Sequence, residues 1–307
     1  MAGNHMKKEI HVCAGVAGNP IEHSLTPNLF QIVANYIRKS GYNVSFDLCE
    51  KITKDRLVDS LAWGHASNSA IVKQQKGADL GRREIWLSLT TPLKHQLPID
   101  SGTKWIIGEP LLASVNQMRH DGNQWIAAET DGAGLLLVAN EFGFDFSFKE
   151  QIDKPLLCIT GGGSTARACA AAWANAGGMI WIEGGRRPLS NRSTWKESLV
   201  SATDICEHIG KRLHVNFDEI PGTQSKITGE LMKAENDAPV FLSASYDKGE
   251  FHPIIENEWG VNLNGRWLLV AQHLKAWEYL FLPEVKDQLP SLRDAMDLLI
   301  SSESKTF

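Results

Sequence analysis

Ile159-Thr160-Gly161-Gly162-Gly163-Ser164-Thr165-Ala166-Arg167-Ala168 is the stretch on which the reading of this chain turns. The apolar run from Pro155 to Thr160 leads straight into three glycines, and an alanine-rich segment with helical spacing, Ala166 to Ala176, follows. Strand, glycine turn and helix in that order match G-x-G-x-x-A, with Gly161, Gly163 and Ala166 at the defining positions. Glycine permits the tight bend and lets backbone N–H groups approach a pyrophosphate, while the helix N-terminus adds partial positive charge. Gly161, Gly162, Gly163, Ser164, Thr165 and Ala166 are therefore candidate cofactor-binding residues. The plain alternative is a turn that binds nothing. The strand and helix fall where the fingerprint requires them, which favours a dinucleotide.

The next strand ends at Glu183, 22 residues past Gly161, close to where an acid binds the ribose hydroxyls of NAD. Arg186 and Arg187 follow at once, and guanidinium groups suit the 2′-phosphate of NADP. NAD or NADP both stay open. Glu183 leans the balance to NAD, because its carboxylate would repel the phosphate.

Away from the turn, strand-like and helix-like pieces alternate, which means an α/β layer with a largely parallel sheet. On the N-terminal side, Glu9–Gly18 reads as a strand and Pro27 opens a helix with Leu29, Phe30, Val33, Ala34 and Ile37 on one face. Tyr42–Cys49 returns as a strand, Thr53–Trp63 reads as a helix with Thr53 as N-cap, and Ile85–Thr90 is a strand stopped by Pro92. Val115–Arg119 and Trp125–Thr130 form a hairpin through Asp121-Gly122. Beyond the turn, Met179–Glu183, Leu213–Phe217, Pro239–Ala244 and Trp267–Ala271 read as strands. Thr194–Ile209, Gln272–Phe281 and Ser291–Ser301 read as helices, and the last two are expected to pack back on the first domain.

At 307 residues the chain has room for about two domains of roughly 150 residues. A net charge of -5 with no dominant basic face excludes a nucleic-acid footprint. No run approaches about 18 apolar residues and no signal peptide is visible, so a membrane partner is not expected and a cytoplasmic location is. The five cysteines show no C-x-x-C spacing and read as free thiols in a reducing compartment. Ten histidines make no metal-ligand spacing, so no metal is expected.

Six segments in register resemble the shikimate dehydrogenase family. Gly18 to Pro27, with His23, Ser24 and Thr26, is similar to that family's substrate-carboxylate loop, and Leu89 to Lys94 to its catalytic-lysine motif. Ser114-Val115-Asn116 resembles its Ala-Val-Asn segment, and Thr130-Asp131-Gly132-Ala133-Gly134 its Thr-Asp-Gly-x-Gly segment. Gly161 to Ala168 resembles its cofactor turn, and Leu269 to Gln272 its late glutamine. The resemblance runs from about residue 15 to 281.

It implies an α/β protein of two domains. A substrate domain (7–131) is completed by the C-terminal helices (272–307), with a Rossmann-type domain (132–271) between them. The implied activity is NAD(P)-dependent interconversion of a cyclic hydroxy acid and its ketone, shikimate or quinate, in aromatic amino acid biosynthesis. Ser24 and Thr26 would bind the substrate carboxylate, Lys94 and Asp131 would form the catalytic pair, and Thr90, Asn116 and Gln272 would orient ring hydroxyls. Ser88 stands where the family has asparagine and joins the pocket list. Ser243-Ala244-Ser245 stands for Asn-Ala-Thr, and Phe251 for a pocket tyrosine. Threonine at position 26 is similar to members that also accept quinate, while Ser88 and Phe251 motivate a related ring acid such as an aminoshikimate. A metabolite-sensing protein of the same fold is the reading from another class, and retention of Lys94 and Asp131 speaks against it. The expected state is a monomer or homodimer.

The chemistry asks for these residue types. Hydride loss from a secondary alcohol needs simultaneous loss of the hydroxyl proton to a positioned base. Desolvation favours a neutral lysine, while a neighbouring carboxylate favours the ammonium, so Lys94 as base and Lys94 as positioning charge both stand. Asp131 also suits a helix N-cap, and the Ser24 and Thr26 hydroxyls suit capping of the Pro27 helix.

Overall fold

A computed structural model describes residues 9–74, 82–99, 101–108, 112, 114–191, 194–218, 238–246, 254–257 and 260–304. The chain divides into two compact units, Met1–Thr130 with His273–Phe307, and Asp131–Gln272. Each carries a six-stranded mixed sheet among the described residues.

In the first unit the strands β1 (Ile10–Gly18), β2 (Val44–Thr53), β3 (Arg82–Leu89), β4 (Lys104–Ile107), β5 (Gln117–His120) and β6 (Trp125–Ala128) run in the order β2-β1-β3-β5-β6-β4. β1 lies parallel to both β2 and β3, and its almost wholly buried sequence is what a strand covered on both faces requires. β5 is antiparallel to β3 and to β6. The turn between β5 and β6 is closed by Asp121, whose Oδ1 accepts the N–H of Asn123 at 2.9 Å and of Gln124 at 3.0 Å. The C-terminal ends of β1, β3 and β6 and the N-terminal end of β5 consequently share one edge. Every family-like segment of this unit before Asp131 lies on that edge.

Helix α1 (Thr26–Arg38) starts with Pro27 in its first turn and buries Leu29, Phe30, Val33, Ala34 and Ile37, the face read from the sequence. It packs on α6 (Leu292–Glu303), which Ser291 caps by accepting the N–H of Asp294 at 3.1 Å. Aromatic rings anchor the chain's end. Trp86 of β3 stacks on Phe281 at 4.8 Å and meets Trp277 edge-on at 5.0 Å. Beneath them, Glu84 is fully buried and accepts from Trp86 Nε1 at 2.6 Å and from Arg119 Nε and Nη2 at 2.8 and 2.6 Å. Arg119 also donates to the Leu280 carbonyl at 2.8 Å. A buried ion pair is stable only when so fully hydrogen-bonded.

The second unit contains α3 (Asp131–Glu141), β7 (Leu156–Thr160), α4 (Ser164–Asn175), β8 (Met179–Gly184), β9 (Arg212–Asn216), β10 (Val240–Ser243), β11 (Ile254–Asn257), β12 (Gly260–Leu263) and most of α5 (Arg266–Ala276). Its sheet order is β8-β7-β9-β10-β12-β11, parallel except for β11. The chain goes from β7 to β8 on one side and then returns past β7 to β9 on the other. In doubly wound sheets ligands bind at the carboxyl end of the strand where this reversal occurs. Here that strand is β7, and the three glycines leave its end.

Three expected elements differ. Thr53 does not cap a helix; it ends β2, paired with Gly18, and α2 (Leu57–Gln74) starts later, its Leu57 N–H taken by Gln96 Oε1 at 2.8 Å. Thr194–Ile209 is not a helix. Val200 N–H binds the Ile180 carbonyl at 2.8 Å, and Ser201 accepts the Asp204 N–H at 3.2 Å, so strand-edge and local side-chain bonds outcompete helix and leave short 3-10 turns at Lys196–Ser198 and Asp204–Cys206. Trp267–Ala271 is not a strand but part of α5, entered through Asn264, whose Oδ1 accepts the Arg266 N–H at 3.1 Å. All five side chains are buried, and a run covered on all sides carries no periodicity to tell helix from strand. β12 takes the place in the sheet expected of it.

No helix among the described residues is long and apolar enough to cross a membrane. Cys13, Cys158 and Cys169 are buried and Cys49 is half-buried, while Cys206 is exposed; none is in a disulfide.

Candidate functional site

On the first unit's edge, the loops after β1 and β3 are tied together by Asn19 N–H to the Thr91 carbonyl at 2.8 Å and Thr90 N–H to the Ala17 carbonyl at 2.9 Å. Gly18 leaves no room for a side chain, since a Cβ there would lie 2.3 Å from Thr90 Cγ2. Thr90 is half-buried. Lys94 sits on a 3-10 turn (Leu93–His95), only 9% exposed, and its carbonyl accepts the Val115 N–H at 2.7 Å. A solvated lysine after a proline turn is thereby excluded.

Asn116 joins the strands around Lys94. Its Oδ1 accepts the Thr130 N–H at 2.8 Å, its Nδ2 donates to Thr130 Oγ1 at 3.0 Å, and its carbonyl accepts the Leu89 N–H at 2.7 Å. Ser88 is 4% exposed and donates to Gln117 Oε1 at 2.7 Å. Ser24 Oγ accepts the Thr26 N–H at 3.3 Å in a local turn, whereas Thr26 Oγ1 is buried against His273 Nε2 at 3.1 Å. Neither hydroxyl is the cap of α1, whose N-cap is Leu25 with no side-chain hydrogen bond.

In the second unit, Asp131 is the first residue of α3 and is 1% exposed. The glycines after it serve close packing. A Cβ on Gly132 would lie 2.6 Å from the Ala168 carbonyl oxygen of α4, and one on Gly134 would lie 2.7 Å from Gln272 N of α5. Gln272 and the start of α3 are thus brought together by the absence of side chains between them. Cys169 of α4 adds a contact from its Sγ to the Asp131 carbonyl at 3.7 Å.

The glycine turn fits a pyrophosphate. Gly161 has φ +92°, a conformation that L side chains rarely adopt. Gly163 is the N-cap of α4, has no side-chain cap, and has open space where a Cβ would be. Ser164 and Thr165 form the first turn, Ala166 is fully buried, and Arg167 donates to the Gly162 carbonyl at 3.3 Å, which sets a guanidinium beside the turn. Arg186 is exposed, and its backbone N–H binds the Asp218 carboxylate, which also lies against Gly161.

Glu183 does not stand free at its strand end. Oε1 accepts from His214 Nδ1 at 2.9 Å and Oε2 from Thr160 Oγ1 at 3.1 Å. Burial pushes the Glu183 carboxyl up, but the His214 bond and charge with the Thr160 bond together hold it below its ordinary value. Cys158 completes the one group among the described residues whose ligand atoms lie close enough for a metal, within 4.8 Å of Glu183 and His214. Its thiol is pushed up by burial, and Glu183 and His214 bond to each other. His214, Thr160, Asp218 and His273 carry no sequence signal, because their partners lie up to 247 residues away. Phe251 lies outside the described residues.

No protein-family model matches the chain. It is 24% identical over 299 residues to the shikimate dehydrogenase (NADP(+)) of Lactococcus lactis subsp. cremoris, covering 96% of this chain and 90% of that one. It superposes on the Thermus thermophilus shikimate 5-dehydrogenase in complex with NADP(H) and shikimate with a TM-score of 0.58, at 18% identity and over 96% and 99% of the two chains. The fold is that of the shikimate dehydrogenases. The Aquifex aeolicus shikimate dehydrogenase gives the same answer, with a TM-score of 0.59 at 16% identity over 95% and 97% of the chains. The likeness to these enzymes extends through both units.

Proposed function

We propose that the chain is an NADP-dependent oxidoreductase that interconverts shikimate and its 3-keto form. One observation carries this reading: buried Lys94 shares a sheet edge with Asn116, Thr130, Thr90 and the Ser24–Thr26 loop, and the chain passes directly from Thr130 to Asp131. Sheet-edge loops are where such folds place reacting groups. The names of the relatives supply the substrate and the cofactor.

A nicotinamide bound through the glycine turn would supply the hydride acceptor. This chain's residues do the remainder. Backbone N–H groups at Gly161–Thr165 hold the pyrophosphate, with Arg167 adding charge. Ser24 and Thr26 bind the ring carboxylate, and Asn116, Thr90 and Gln272 orient the hydroxyls. Lys94 and Asp131 manage the alcohol proton, Lys94 either taking it or fixing the oxygen as a charge. Ser88 supports the pocket through Gln117 rather than touching the ring.

Quinate is the second ring acid to test, because threonine at position 26 is similar to members that also accept quinate. The experiment is a panel of shikimate, quinate and an aminoshikimate against NAD and NADP, read by absorbance of the reduced nicotinamide. Turnover of shikimate with NADP is the expected result. Calorimetric binding without turnover of any ring acid would point to a metabolite sensor instead.

A further inference from the structure

Glu183 is the acid that, in a Rossmann unit, ordinarily takes the adenosine ribose and turns away a 2′-phosphate. In this protein its carboxylate is occupied from behind. Three neighbouring parallel strands each contribute one group: Thr160 from β7, Glu183 from β8 and His214 from β9. Both carboxylate oxygens have a partner, and the side chain is only 27% exposed. An ionised carboxylate can only accept, so the proton shared with His214 lies on Nδ1. The imidazole is itself fixed by stacking on Phe241, with ring centroids 4.9 Å apart and planes at 29°. A bulge in the β7–β8 pairing between Ile159 and Thr160 coincides with Glu183. Such bulges re-aim a side chain.

We propose that His214 is a specificity-positioning residue: with Thr160 it holds the Glu183 carboxylate against the sheet and away from the ribose, so that a dinucleotide bearing a 2′-phosphate is accepted. The assignment rests on the reading that a dinucleotide binds at the glycine turn. It reverses the inference drawn from the residue type alone, in which a glutamate here means NAD. In the chain Arg186 follows Glu183, the centre of this latch with Thr160 and His214, and its guanidinium, which donates to the Asp218 carbonyl at 3.4 Å, is the nearby charge for the phosphate.

The test measures dissociation constants for NADP and NAD by tryptophan fluorescence, on folded protein verified by circular dichroism. His214→Phe keeps the ring stack and removes the hydrogen bond. The variant should weaken NADP binding by roughly tenfold, the scale of one close charge pair in a largely aqueous setting, and leave NAD unchanged or tighter. Thr160→Val should move the NADP to NAD ratio in the same direction by less, and serves if the first variant does not fold. Adding Glu183→Gln to His214→Phe should restore NADP binding, which a merely structural role for His214 would not produce. An unchanged ratio in both single variants, no rescue in the double variant, or a wild type that binds NAD far more tightly than NADP overturns the proposal. A wild type that binds neither dinucleotide removes the cofactor reading itself, and this assignment with it.

Discussion

The two units present their chemistry in opposite ways. On the first unit's edge the work is done by side chains, each fixed by a partner on another element: Asn116 by Thr130, Ser88 by Gln117, Thr26 by His273. In the second unit it depends on missing side chains: Gly163 leaves the cofactor turn open, and Gly161, Gly132 and Gly134 let neighbouring groups approach closely. Deletion of atoms should damage the first kind of site, and addition of atoms the second.

The largest effect belongs to the frame that carries the first edge. Arg119→Leu leaves the buried Glu84 carboxylate only Arg82 and Trp86 as partners and should destabilise by roughly 3 kcal/mol in urea unfolding. A loss below 1 kcal/mol would show that the side-chain frame is dispensable. In the second unit, Gly161→Ala adds one methyl at φ +92°, beside the Asp218 carboxylate. It should cost about 1–3 kcal/mol and weaken binding of both dinucleotides, seen by calorimetry. Smaller again is Ser88→Ala, which removes the bond to Gln117 and should cost about 1 kcal/mol while shikimate KM barely moves. A large rise in KM would return Ser88 to the pocket.

Acid stability separates the units more finely. The folded Glu183 carboxyl titrates below its ordinary 4.5, so it contributes stability that is present above that pH and is lost as pH falls through the folded value. Glu183→Gln should therefore lower stability at neutral pH and flatten the acid limb below pH 4.5, so that the variant and the wild type converge in acid. A steeper acid limb would contradict the latch geometry.

The difference between the units also explains what could be read from sequence. The glycine turn was legible because its signal is local, a strand, three glycines and a helix within one stretch. The helix that starts at Asp131 was legible in the same local way, and the catalytic roles proposed for Lys94 and Asp131 rest on short motifs of that kind. The partners were not legible, since His214 lies 31 residues from Glu183 and His273 lies 247 residues from Thr26. Such pairs are set by strand order and helix docking. Trp267–Ala271 was misassigned because burial on every side erases periodicity, and Thr194–Ile209 because bonds to Ile180 and within the Ser201–Asp204 turn outweigh helical spacing.

The most direct test is steady-state turnover of shikimate with NADP by the wild type and by Lys94→Ala, with NADP affinity measured for both. The account predicts turnover by the wild type and a fall of roughly 10²–10⁴-fold in the variant at unchanged NADP affinity. Wild-type rates in Lys94→Ala, or a wild type that turns over no ring acid, would contradict it.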